Sequence, residues 1–316
     1  MSAEPSSITS ETSAARLPES KKKSEHVRAA RPRVRHKDVL RRLVCGALCA
    51  ALVAGCSIIG KRASDTLSTI VLDQNDPELV TSGLPAYLLF VDGLITQHPQ
   101  NVHLLSAGAQ LFAVYGSRFA TPEHAIVLTA KARRYGERAI CVTHTPACSW
   151  STMDYDAFVA ELGKVERKQI DALYSYAVGW LSNLQVTSED WGAVADLPRV
   201  EAVLQRALAL DETYEHGAIH GYLGILGALR PPALGGKPDE ARAHFERAIE
   251  LSGGKDLSIK VEYARRYARL VFDQELHDRL LTEVLSSPTE APKLTLFNVL
   301  AKKEAEGLLA TSKEYF

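Results

Sequence analysis

Beyond Ile59, apolar residues recur at three- and four-residue steps with polar residues between them, the period of a helix buried on one face. Leu84, Leu88, Val91, Leu94 and Ile95 predict a helix from Leu84 to His98 that stops at Pro99. Leu105, Ala109, Phe112 and Tyr115 continue the period through Val102 to Phe119. Pro122 opens a third helix carrying Ala125, Leu128, Ala132, Tyr135 and Ala139. Further helices are predicted over Asp154 to Leu162, Glu166 to Asn183, Pro198 to Leu210, Tyr214 to Leu229, Pro238 to Leu251, Leu257 to Val271, Gln274 to Ser286 and Lys293 to Thr311. No stretch alternates apolar and polar residues for long, so the expected fold is all-α, with no sheet.

The helices share a pattern as well as a period. Ala241, Phe245, Ala248 and Leu251 step by four, three and three, and Val200, Leu204, Ala207 and Leu210 do the same; Tyr87, Val91 and Leu94 before Pro99 give a third copy. Small residues let two helices approach while a large one fills the hole between neighbours. The pattern resembles the tetratricopeptide repeat in degenerate form, because 41 residues separate Val200 from Ala241 where a regular array has about 34. The excess falls in the loop Arg230 to Lys237. The expected architecture is a superhelical stack of such pairs over residues 84–316.

Charge and export signals change the picture of the first 83 residues. Arg41-Arg42 precede an uncharged apolar run, Leu43 to Gly55, thirteen residues long and too short to span a bilayer as a helix. The run closes on Val53-Ala54-Gly55-Cys56, a bacterial lipoprotein box, with small side chains before the scissile bond and a thiol to receive lipid. The mature chain is expected to begin at Cys56, with 1–55 a leader and signal peptide and 56–83 an anchor and a largely irregular linker. Ser57, where a retention signal places Asp, favours the outer membrane. Residues 1–38 carry basic runs and little that buries a core; a start at Val39 accounts for them better than a nucleic-acid arm, since export removes them. Residues 56–316 hold 26 basic and 33 acidic residues, a formal charge of −7, whereas the whole chain has −1. A mildly acidic body offers no broad surface for nucleic acid. Cys141 and Cys148 are the two cysteines left for a disulfide, which an oxidising periplasm permits; two buried thiols satisfy the spacing equally.

Pro231-Pro232, Leu234-Gly235-Gly236-Lys237-Pro238 and the following Ala241-Arg242-Ala243-His244-Phe245-Glu246-Arg247-Ala248-Ile249 resemble the T-component family of TRAP transporter-associated lipoproteins. The Tyr87-Leu88-Leu89 to His98-Pro99 segment and the ending Ala305, Leu308-Leu309, Glu314-Tyr315-Phe316 resemble it too, so the likeness spans the mature chain. It implies a periplasmic, lipid-anchored, all-helical protein that associates with the substrate-binding subunit of a TRAP transporter and forms a homo-oligomer such as a trimer. It implies no catalytic residue and no cofactor.

The residues themselves give little support to catalysis. His216 and His220 stand four apart on one predicted helix, a spacing that can present two imidazoles to a metal, yet no third ligand is marked, so no metal site is expected. Gly235-Gly236-Lys237 lacks the first glycine and the preceding strand of a phosphate loop and reads as a turn before a helix. Aromatic and glycine placement instead suits binding. Gly217, Gly221, Gly224 and Gly227 cost a helix about 1 kcal/mol each relative to alanine, which calls for close helix packing or room for a ligand. The expected lining of an apolar channel for small organic acids is Trp180, Trp191, Tyr222, Leu223 and Leu226. An envelope-assembly scaffold built on the same repeats is the alternative role.

Overall fold

The computed structural model describes residues 69–316, and the leader, the lipoprotein box and Cys56 lie outside them. Among the described residues every regular element is helical. The first long helix, α1, spans Pro77–Gln97 and so begins within the stretch 60–83 that the sequence reading made irregular. The Asp76 carboxylate accepts hydrogen bonds from the backbone N–H of Glu78 at 2.9 Å and of Leu79 at 3.1 Å, and Pro77 needs no donor at the first helical position. Pro77 and Gly83, which marked that stretch as irregular, lie inside it; buried Val80, Leu84, Leu88, Val91 and Ile95 hold that turn helical.

Helices α2, Val102–Arg118, and α3, Pro122–Thr143, follow, with Asn101 capping α2 through His103 and Leu104 N–H groups. After α4, Tyr155–Leu162, comes α5, Ile170–Val186, which packs against both α2 and α3. The α3–α5 crossing is a backbone-to-backbone contact: a Cβ on Gly136 would stand 2.6 Å from Tyr176 Cα, and one on Gly179 would stand 2.7 Å from the Ala132 carbonyl oxygen. Cys141 in α3 is bonded to Cys148, with Cα atoms 4.7 Å apart, and the turn between them brings Trp150 onto Phe158 at 5.4 Å.

Helix α6, Leu197–Leu210, leads into the largest departure from the periodicity. The sequence predicts one helix from Tyr214 to Leu229, but Glu215, His216 and Gly217 have φ of 45°, 58° and 85°, and α7 spans only Ala218–Gly227. His216 and His220 therefore do not share a helix face. The apolar period that suggested one continuous helix belongs to α7 alone; Tyr214 packs separately on Tyr174, with ring centroids 5.1 Å apart.

The Gly235-Gly236 loop turns the chain from α7 into α8, Pro238–Leu251. Gly235 has φ 81°, the Gly236 N–H donates to the Pro231 carbonyl at 3.1 Å, and the Lys237 N–H donates to Gly227 at 2.9 Å. A side chain on Gly236 would collide with the Arg230 carbonyl. The pair closes a tight turn, with Pro238, Asp239 and Glu240 starting α8. Helices α7 and α8 then pack through small residues: a Cβ on Gly227 would lie 3.0 Å from Ala241 Cβ, and one on Gly224 would lie 3.0 Å from the Phe245 ring.

The chain continues through α9, Leu257–Glu262, directly into a widened π turn, Tyr263–Ala268, then α10, Gln274–Ser286, and α11, Thr295–Ala310. Asn298 on α11 is fully buried and pins the start of α9, accepting from Leu257 N–H at 2.9 Å and donating to the carbonyls of Lys255 and Thr289. Helix α11 returns to α1, the Lys293 N–H donates to Asp73, and Arg118 on α2 meets Glu304 on α11 at 3.1 Å. One apolar core joins α1 to α7 and a second joins α8 to α11.

Candidate functional site

Two adjoining cavities, about 450 Å³ and about 200 Å³, open where these cores meet. They share a wall that includes Val114, Arg118, Val178, Tyr222, Ile225 and Glu262, so the two lie side by side. The volume of the larger falls within the roughly 300–1,000 Å³ of ligand pockets. Its wall is apolar on α5 and α6, through Leu181, Leu184 and Leu197, on α7 through Leu226 and just after it through Leu229, and Arg230 lines it too. The smaller one is bounded by Glu215, His216, Asp256 and Lys293 beside apolar Leu111, Ile259 and Phe297.

Charge is concentrated at the wall that the two cavities share. Glu262 is buried, at 8% exposure, and is held by Arg266 at 3.2 Å and Arg265 at 3.3 Å. Arg265 also pairs with Glu304, which meets Arg118, giving three guanidinium groups and two carboxylates in one chain of contacts. Arg265 and Arg266 stand three and four residues after Glu262, the spacing that brings side chains to one face of a helix, where the chain passes from α9 into the π turn. The rings of Tyr174 and Tyr222 stand 6.3 Å apart, and burial pushes both phenols above the ordinary range. Burial likewise raises the Asp256 carboxyl, although the Ser258 hydroxyl and N–H stabilise its charge. Among the described residues, three of the four non-glycine residues with positive φ, namely Glu215, His216 and Lys293, stand on the wall of the smaller cavity. Such backbone costs about 1–3 kcal/mol per residue and clusters where ligands are handled.

The structure places the expected lining unevenly. Tyr222 lines both cavities and Leu226 the larger one. Trp180 packs in the core, with the Arg133 guanidinium 4.5 Å above its ring and its Nε1 3.3 Å from Asp196. Leu223 is buried in the first core. Residue 191 begins the short turn Trp191–Val194, and its side chain lies outside the described residues. Sequence reasoning missed Arg118, Glu262, Arg266 and Phe297. The one local signal was charge inside an apolar helical period, as at Glu262 between Val261 and Tyr263.

His220 is buried against His244, with Nδ1 atoms 2.8 Å apart, and no third ligand joins them among the described residues. One imidazole donates and the other accepts, which is the geometry of a neutral pair. Burial lowers the pKa of both, and for His244 the His220 charge lowers it further; Glu212, 3.4 Å from His220 Nε2, opposes this for His220. The unfolded chain takes up protons below the ordinary histidine value that the folded one resists, so this contribution is complete above about pH 6.5 and is lost as pH falls through the lowered values. Stability measured by denaturant is expected to drop on acidification from pH 6.5. The drop should be smaller in a His220→Gln/His244→Gln variant; an equal slope in the variant would place the acid sensitivity elsewhere.

The family described as TRAP transporter T-component matches residues 73–316. The chain belongs to the TRAP transporter T-component family. Its role is thus that of a TRAP transporter accessory component, in a transport family and not an enzyme family, with a periplasmic or membrane-associated place. A protein of Treponema pallidum (strain Nichols), described as uncharacterized, is 22% identical over 266 residues, covering 78% of this chain and 82% of its own length.

Proposed function

We propose that this T-component is a lipid-anchored periplasmic subunit that docks the substrate-binding subunit of its transporter and passes a small organic acid with an apolar part through the adjoining cavities. The observation that carries the reading is the shared wall of the two cavities, where Arg118 and the Glu262 network stand among apolar side chains. Arg118, Arg230 and Arg266 outnumber Glu262 around the larger cavity, a positive excess suited to a carboxylate, while Leu181, Leu184 and Leu226 suit its tail. In this reading 1–55 is removed, Cys56 carries the lipid near the outer membrane, 56–83 includes the tether and the start of α1, and the rest is a run of degenerate tetratricopeptide-like pairs. The complete burial of Val200, Leu204, Ala207, Ala241, Phe245 and Ala248 supports the repeat pattern.

The partner is tested by affinity capture from detergent-solubilised envelopes with the lipidated protein as bait. Recovery of a TRAP substrate-binding subunit in near-equal amount is expected. Recovery of envelope-assembly lipoproteins alone would replace the transport role with a scaffold.

A further inference from the structure

We propose that the outward face of α1 lies on the lipid surface, so that the membrane contact includes a folded helix as well as the acyl anchor. Helix α1 is long and apolar enough to cross a bilayer by length and composition, yet its inner face, from Val80 to Ile95, is packed in the protein core. It is therefore placed to lie along a membrane and not to span it. The opposite face is also apolar: Leu79 is 57% exposed, Leu89 75% and Phe90 57%. At about 100° per residue, Leu79, Ala86, Phe90 and Gly93 fall within roughly 60° of arc, together with Gln97 at the end of the helix; Leu89 stands about 40° beyond that arc with Ser82 between, and Glu78 marks the polar border about 20° past Leu89. A helix apolar on both faces needs a cover on each.

The chain outside the described residues indicates which cover. Thirteen residues separate Cys56 from Thr69, a reach of at most about 45 Å, so an acylated Cys56 holds α1 close to the bilayer. Lys61 and Arg62 lie in this tether, where they favour an anionic lipid surface. The inference rests on the lipid anchor proposed above.

The test uses the full lipidated protein in vesicles of phosphatidylethanolamine and phosphatidylglycerol, with a nitroxide attached singly through Leu89→Cys, Phe90→Cys, or Ala243→Cys on the exposed side of α8. Collisions with dissolved oxygen, which concentrates in lipid, are compared with those of a water-soluble nickel chelate. The oxygen-to-nickel ratio is expected to rise at positions 89 and 90 when detergent is replaced by vesicles, and to stay unchanged at 243. Vesicle-bound protein with no rise at 89 and 90 would overturn the docking while leaving the anchor. Spin–spin broadening at those positions would assign the face to a second copy instead. Protein that fails to associate with vesicles at all would overturn the anchor and the docking together.

Discussion

Replacing Ile225 with tryptophan is expected to weaken binding of a medium-chain carboxylate such as hexanoate by more than about tenfold, with the helical fold kept. Ile225 and Tyr222 are the α7 side chains that border both cavities, and a larger ring at Ile225, which is only partly buried, takes up space along their shared wall. The loss comes from excluded volume, and it should be accompanied by a small gain or no change in thermal stability. Arg118→Met separates the electrostatic part. Glu304 retains Arg265, so the pair network survives in part, while the ligand loses a charge-assisted hydrogen bond of about 1.5–3 kcal/mol, which is about 10–100-fold in affinity. Isothermal titration of the two variants and the native protein checks both. Equal affinities in all three would mean that these cavities are not where the acid binds.

Gly136→Ala is expected to destabilise the fold by about 3 kcal/mol, the upper end of the range for overpacking. Helix propensity alone favours alanine by about 1 kcal/mol, so the sign of the result decides between two effects. Contact should win, because the added carbon would meet Tyr176 Cα at 2.6 Å and the Ser175 carbonyl at 2.9 Å, atoms of a neighbouring backbone that cannot rotate away. The damage extends to the site. Helix α5 carries Tyr174 and Val178 into the cavity wall, and pushing α5 off α3 moves both. Urea denaturation of the variant measures the loss; a stability equal to or above that of the native protein would show that the α3–α5 crossing is looser than described.

The helices were legible because most bury a stripe at a constant period, and that stripe is written locally: Leu105, Ala109 and Phe112 for α2, or Ala241, Phe245 and Ala248 for α8, are buried as the period predicts. The start of α1 was less legible because Pro77 and Gly83 carry turn signals that packing of Val80 and Leu84 overrides. The break at Glu215 and His216 had no local signal at all, since two ordinary residues adopt positive φ there. A hollow is harder still to read. It arises where residues from α2, α5, α7, α9 and α11 fail to fill the space between two cores, and no segment records that absence. Tyr222 and Leu226 were found because the glycines of α7 pointed to them; Arg118 and Phe297 sit on helices whose sequence reads as ordinary packing.

The central claim is that ligand passes through the interior of this subunit on its way to transport, and uptake of a labelled organic acid by cells whose only copy carries Ile225→Trp tests it most directly. The account predicts that uptake falls sharply while the transporter's substrate-binding subunit is still captured with the variant. Uptake at the native rate in those cells would contradict it, and would leave the chain a docking component whose cavity takes no part in transport.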